Sequence, residues 1–200
     1  MMRLNCKKDH LICFYDMAVS PCSYDFFSYL YAAEICRIRR RLKKIELVFV
    51  QGPNKKYRAD NNHRSFDRNE TFFNNVIIPG LSLLPSITAF CWKLRDDLDL
   101  HTIKATNIFP RGYTLDEPVP EYVCHELVAA KVRGDEPGFL VAPEFAKKMV
   151  DDFIKCRIGS GPFTTLTFRE LDRGDTNKTR SIDKLRWYEI LKYIKSKGIE

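Results

Sequence analysis

The chain has 200 residues, 44% of them hydrophobic and 30% charged, with a net charge of +7. That is room for one sizeable domain, or for one domain and the beginning of another. No apolar run approaches the ~18 residues a membrane helix needs, and the first ten residues hold no signal-peptide core, so a cytoplasmic chain without a transmembrane segment is expected.

Leu11 to Tyr15 is a short apolar run that ends in Asp16 and reads as a buried strand. Ser20-Pro21 supplies a helix entry, with Ser23 as an alternative cap. Phe27, Tyr31, Ile35, Ile38 and Leu42 then recur at helical spacing and predict one buried helix face. Ile45 to Val50 is a second buried strand, closed by Gln51-Gly52-Pro53. Strand, helix and strand in so short a span predict a βαβ unit with parallel, adjacent strands.

Residues 54–68 lack periodicity and read as a long loop. A helix is expected from Glu70 to Ile78, ended by Pro79-Gly80, and a third strand from Ser86 to Trp92. Pro110, Gly112, Pro118, Pro120, Gly134 and Pro137 then punctuate an irregular segment, interrupted by a short helix from Glu121 to Lys131. Pro143 opens a further helix whose Phe145, Met149 and Phe153 are expected to face inward.

Ile158-Gly159-Ser160-Gly161-Pro162 is the best linker candidate. The expected organisation is an α/β domain over 1–158, a linker at 159–162, and the first strand and helix of a second α/β domain over 163–200. The strand is Phe163 to Phe168. The helix runs from Ser181 to Lys197, with Trp187, Ile190, Leu191 and Ile194 on one face and Gly198 closing it. Because the chain stops at Ile199-Glu200, where another strand should begin, the second domain is expected to be incomplete.

Seven cysteines form no Cys-x-x-Cys pair, and four histidines show no His-x-x-x-His spacing. Neither a disulfide framework nor a metal site is supported, so no metal and no tightly bound cofactor is expected. Cys13 and Cys36 read as small buried hydrophobes. The charge is concentrated between Arg37 and Arg68, where eleven Lys or Arg stand against three acids. Such a region concentrates anions, but Lys and Arg near a helix C-terminus also complement the helix dipole.

Three residues carry candidate chemistry. Arg169 follows the strand that opens the second domain, where open α/β sheets bind ligands, and a guanidinium there can hold a diphosphate through two parallel hydrogen bonds. A salt bridge to Glu170 or Asp172 is the alternative. Arg180 stands at the start of the last helix, whose unpaired N–H groups favour an anion; a surface arginine is the alternative. Asp16, at the end of the first strand, can act as a general base toward an acceptor hydroxyl or can cap the following turn. Asp25 reads as a helix-dipole partner, and Arg173-Gly174-Asp175 as a turn.

The run Tyr15-Asp16-Met17-Ala18-Val19-Ser20-Pro21-Cys22-Ser23-Tyr24-Asp25-Phe26 resembles the start of a bacterial glycosyltransferase-like family found with surface-polysaccharide genes. The strand 45–50 with Gly52-Pro53, the run Thr165-Leu166-Thr167-Phe168-Arg169-Glu170, and Arg180 with Trp187 are similar to later parts of its pattern, although Ser181 stands where Asn would be expected. The resemblance implies the GT-B architecture, two Rossmann-like domains across a cleft. It implies a metal-independent transferase acting on a nucleotide sugar and a glycan acceptor, with Arg169 and Arg180 on the donor side and Asp16 on the acceptor side. No specific nucleic acid is implied, and peripheral membrane association is left open. Two other readings compete: a basic nucleic-acid-binding module over 37–68, with Tyr57 and Phe66 as stacking aromatics, and a non-catalytic α/β scaffold.

Overall fold

The computed structural model describes residues 7–53, 56–58, 66–119, 124–135, 140–159 and 184–198. Two compact units divide the chain, Met1–Pro143 and Glu144–Glu200. The first is built on four strands: β1 (His10–Asp16), β2 (Lys44–Val50), β3 (Ile87–Lys93) and β4 (Ile108–Phe109). All pairings are parallel, in the order β3-β2-β1-β4, which makes the unit a Rossmann-like α/β fold. The chain steps outward from β1 to β2 to β3, then returns to add β4 on the other side of β1. The three strands expected in this unit, at 11–16, 45–50 and 86–92, and the parallel βαβ unit are present.

Every residue of β1 is buried, as a strand covered on both faces should be. Side chains alternate between the faces with period two. Leu11, Cys13 and Tyr15, with Ile45, Leu47 and Phe49 of β2, face the helices. Ile12 and Phe14, with Val48 and Val50, face the opposite way, toward Leu98, Ile103, Ile108 and Tyr113. The second face is thus covered by the segment between β3 and β4 and the loop after β4. That segment is a chain of short turns at Arg95–Asp97, Leu100–Thr102 and Ala105–Asn107.

Helix α1 (Asp25–Arg39) crosses the first face. It buries Phe26, Tyr29, Leu30, Ala33 and Ile35; of the expected stripe Ile35 is buried, Phe27 and Leu42 pack partly buried against the core, and Ile38 is 44% exposed. Both stripes have helical spacing. The one through Phe26 and Tyr29 wins because these rings meet Tyr15 edge to face, at centroid distances of 4.9 Å each, a favoured aromatic geometry. Tyr24 holds the N-cap position without a side-chain cap, and Ser23 Oγ just before it accepts from the Asp25 N–H at 3.3 Å.

The next helix starts earlier than expected. α2 (Phe66–Phe72) runs through a π turn at Phe73–Ile77 into α3 (Ile78–Gly80) and a further turn at Leu81–Leu83. Pro79 does not stop it: it is the second residue of α3, directly after the π turn. Phe73 and Ile77 are both buried against the sheet.

Helix α4 (Cys124–Val132) follows β4 and adds Leu127 to the helix-side core. β4 was not anticipated: two residues are too few for periodicity to register. The Phe109–Pro110 peptide after it is cis.

The second unit shows α5 (Glu144–Arg157) and α6 (Lys184–Ser196). The inward face expected of α5 is not formed: Phe145 and Met149 are each 68% exposed and Phe153 is 59% exposed. No described element of this unit covers them. Gly198 has φ of 69°, as a helix-closing glycine should. Residues 160–183, holding most of the expected linker, the strand 163–168, Arg169 and Arg180, lie outside the described residues.

Candidate functional site

A parallel sheet whose order reverses offers one special place. At the switch point, successive connections leave in opposite directions, and ligands of open α/β sheets bind beyond the carboxyl ends of the strands there. In this sheet the reversal lies between β1 and β4. β1 continues toward α1 on one face, and β4 continues through Pro110 toward Tyr113 on the other.

Asp16 ends β1 at this point, in register with Val50 of β2, which in turn pairs with Lys93 of β3. As an even-numbered residue it lies on the face of Ile12 and Phe14, under the segment that follows β3. It is fully buried. Both carboxylate oxygens accept hydrogen bonds. Arg95 Nη2 donates to Oδ1 at 2.8 Å and to Oδ2 at 2.7 Å. The Tyr113 hydroxyl donates to Oδ2 at 2.8 Å, and the Ala18 N–H donates to Oδ1 at 3.0 Å. The last contact is the turn cap that the sequence offered as one of two roles for Asp16. In this arrangement neither oxygen is open toward a substrate hydroxyl, so proton abstraction by Asp16 requires Tyr113 or Arg95 to swing aside.

Each partner is held from its own direction. Arg95 stands two residues past the end of β3 and reaches back across β2, two strand spacings or about 10 Å. Its Nη1 donates to the carbonyl of Leu115 in the loop after β4. Tyr113 stacks flat on Phe14, with centroids 4.8 Å apart and planes 8° from parallel. Burial, and secondarily the Asp16 carboxylate beside it, push the Tyr113 phenol well above its ordinary range. The ring therefore stays a hydrogen-bond donor.

The sequence singled out Asp16 and missed Arg95 and Tyr113. Arg95 sits in the ordinary surface pattern Lys93-Leu94-Arg95-Asp96-Asp97, and Tyr113 follows a Pro-Arg-Gly turn. The parallel-sheet reading itself could have found Arg95, since residues just past each strand must gather at one edge; Tyr113 follows β4, whose two residues carry no period. Asp25 accepts from Ser23 Oγ at 2.8 Å in the first turn of α1, a local role. Arg169 and Arg180 lie outside the described residues.

Three cations of the basic stretch, Arg37, Arg40 and Lys43, make structural contacts. Arg37 donates from Nε and Nη2 to the buried Glu34, at 2.8 Å each, while Ser86 Oγ donates to the same carboxylate at 2.6 Å. Arg37 Nη1 also satisfies the Leu42 carbonyl at 2.7 Å. Arg40 reaches the carbonyls of Thr106 and Ile108, at 2.6 and 2.8 Å, and so fastens the end of α1 to β4. Lys43 pairs with Asp9 at 2.9 Å. Tyr57 is 2% exposed and packs against Phe66 and Trp92. It offers no open ring for a base to stack on. Cys13 is buried, and that burial raises its thiol well above its ordinary value, as suits a structural hydrophobe; Cys36 is partly buried.

Among the described residues no three His, Cys, Asp or Glu side chains stand close enough to share a metal ion, and no helix is long and apolar enough to cross a membrane. Comparison of the chain with protein-family models, with curated proteins and with solved structures returned no match.

Proposed function

We propose that the chain belongs to a sugar-nucleotide-dependent glycosyltransferase of GT-B type, with its acceptor side in residues 1–158 and its donor side begun by residues 163–200, acting in polysaccharide or glycan assembly without a metal. The observation that supports this most is the carboxylate and guanidinium gathered at the switch point of a parallel sheet, with Asp16 at the strand end where the family resemblance puts an acceptor-side residue. In such a reaction an acceptor hydroxyl attacks the anomeric carbon and a nucleoside diphosphate departs. Fixed positive groups aimed at the departing diphosphate do most of the catalytic work. In this reading Arg169 and Arg180 are those groups, and Asp16 lines the acceptor side.

The structural use of Arg37, Arg40 and Lys43 and the burial of Tyr57 count against a nucleic-acid module. The decisive test is Arg169→Ala, carried in the full coding sequence. Nucleoside-diphosphate binding should weaken and sugar transfer slow, while the melting curve stays unchanged. A charged hydrogen bond of this kind contributes about 1.5–3 kcal/mol, on the order of ten- to a hundredfold in affinity. Lysine should restore only part, because a point charge cannot make the two-pronged contact. Equal GDP, UDP and TDP affinities in wild type and a folded mutant would remove Arg169 from the site.

A further inference from the structure

The two members of the switch-point ion pair are unequally covered. Asp16 is fully buried, while the Arg95 side chain remains 31% exposed, so the guanidinium is the face the pair turns to solvent. Two of its three nitrogens are pinned, Nη2 on Asp16 and Nη1 on the Leu115 carbonyl, and no acceptor among the described residues takes the Nε–H. A planar donor fork that is already immobilised loses little freedom on meeting an anion. An unpaired surface arginine would lose far more.

Other cations follow the strands toward the same edge from separate parts of the chain. Lys93 ends β3 in the same row as Asp16. Arg58 donates to the Val19 carbonyl at 3.2 Å, in the loop that follows β1. Arg111 is exposed in the turn after β4. Segments following β2, β3 and β4 thus bring Arg58, Lys93 with Arg95, and Arg111 to the edge where ligands of such sheets bind. Asp96 and Asp97 share the turn of Arg95 but are exposed, and water and salt screen charges so placed.

We infer that Arg95 is an anion-binding residue, held in position by Asp16, and that it takes an oxygen of a phosphate or diphosphate group at the β1/β4 switch point. The ligand class rests on the transferase reading, whereas the anion site rests on the geometry. Two sources carry this chemistry: the diphosphate of a nucleotide donor and a phosphate borne by the acceptor. Asp16 acts here as a positioning residue, which accounts for a carboxylate whose oxygens are both occupied.

The test uses the 200-residue chain. Pyrophosphate, UDP, GDP and TDP are titrated into wild type, Arg95→Gln, Arg95→Lys and Asp16→Asn, with melting curves for each. Wild type should bind pyrophosphate or a nucleoside diphosphate. Arg95→Gln should weaken that binding on the order of tenfold or more, and Arg95→Lys should recover part. Asp16→Asn removes a negative charge, so simple Coulomb attraction would tighten anion binding; a positioning role predicts the opposite, weaker binding. Should the variants fail to fold, the wild-type chain still decides. Phenylglyoxal modification of Arg95, followed by peptide mass, should slow several-fold when pyrophosphate or a nucleoside diphosphate is present. Protection by a nucleoside diphosphate but not by pyrophosphate identifies the donor as the source; equal protection by pyrophosphate, with nothing gained from the nucleoside, identifies a phosphate borne by the acceptor. Unchanged affinity in folded Arg95→Gln, or no protection of Arg95 by any of the four, overturns the anion site. Transfer by the full coding sequence would still stand as a separate result. Tighter binding by Asp16→Asn overturns the positioning role.

Discussion

Asp16 gathers four hydrogen bonds from three chain segments, and this makes it the most consequential single side chain of the sheet. Breaking a buried pair by neutralising one partner leaves the other uncompensated, at about 3–5 kcal/mol. Because Arg95 is 31% exposed and keeps some hydration, Asp16→Asn should sit at the lower end, about 3 kcal/mol, as read from urea unfolding. A change below about 0.5 kcal/mol would mean that the pair behaves like an ordinary surface salt bridge. The prominence of Asp16 was legible in the sequence as an acid ending an apolar strand. Its partners were not, because Arg95 is 79 residues away in the chain and Tyr113 is 97 away. No local pattern encodes such a meeting.

At the scale of the element, the strands and their connections explain both what could be read and what could not. β1, α1, β2 and β3 each contain an apolar run or stripe long enough to show its period, and the parallel order of the first three follows from the helical crossovers between them. β4 and the turns before it have no period to read. They are held by side-chain contacts such as Arg40 on the Ile108 carbonyl and Asn107 Nδ2 on the His10 carbonyl, at 2.8 and 3.0 Å. The end of β2 shows how tight the carboxyl edge is. Gly52 donates its N–H to the Lys56 carbonyl at 2.9 Å, and a Cβ there would lie 2.6 Å from the carbonyl carbon of Tyr57 and press on the Met17 carbonyl oxygen. These obstacles are backbone and cannot turn aside. Gly52→Ala should therefore destabilise by about 1–3 kcal/mol, the range for forced overpacking. It should also shift amide resonances in the β1–α1 loop, which the Met17 carbonyl belongs to. A neutral substitution would show that the two loops separate easily.

Taken as a whole, the first unit is unusually dependent on phenols kept neutral. Tyr29, Tyr57 and Tyr113 are all buried, and burial in each case is the main cause that raises the phenol above its ordinary value. Glu70 adds to this for Tyr57, accepting its hydroxyl at 2.7 Å. A raised value means that the folded chain holds its phenolic protons when the unfolded chain has begun to release them. The stabilisation is complete below about pH 10, the ordinary tyrosine value. It is lost as pH rises beyond that, at up to about 1.4 kcal/mol per pH unit for each phenol. Urea midpoints should hold steady from about pH 8 to 9.5 and then fall steeply, and ultraviolet titration should show tyrosines that ionise only as the fold is lost. A midpoint that is flat through about pH 11 would contradict the burial of these hydroxyls.

The order of the strands also sets an order of assembly. β1, β2 and β3 emerge in sequence from a ribosome, and each can pair with its predecessor as it appears. β4 must instead return across the chain to lie beside β1, joining Ile12 to Ile108 and closing a much longer loop. Long-range pairings of this kind form late. Until β4 docks, Asp16 lacks Tyr113 and Arg95 lacks the Leu115 carbonyl. The nascent chain therefore carries a nearly complete sheet whose carboxyl edge is unfinished, and the anion site proposed for Arg95 would form only once the unit is fully folded.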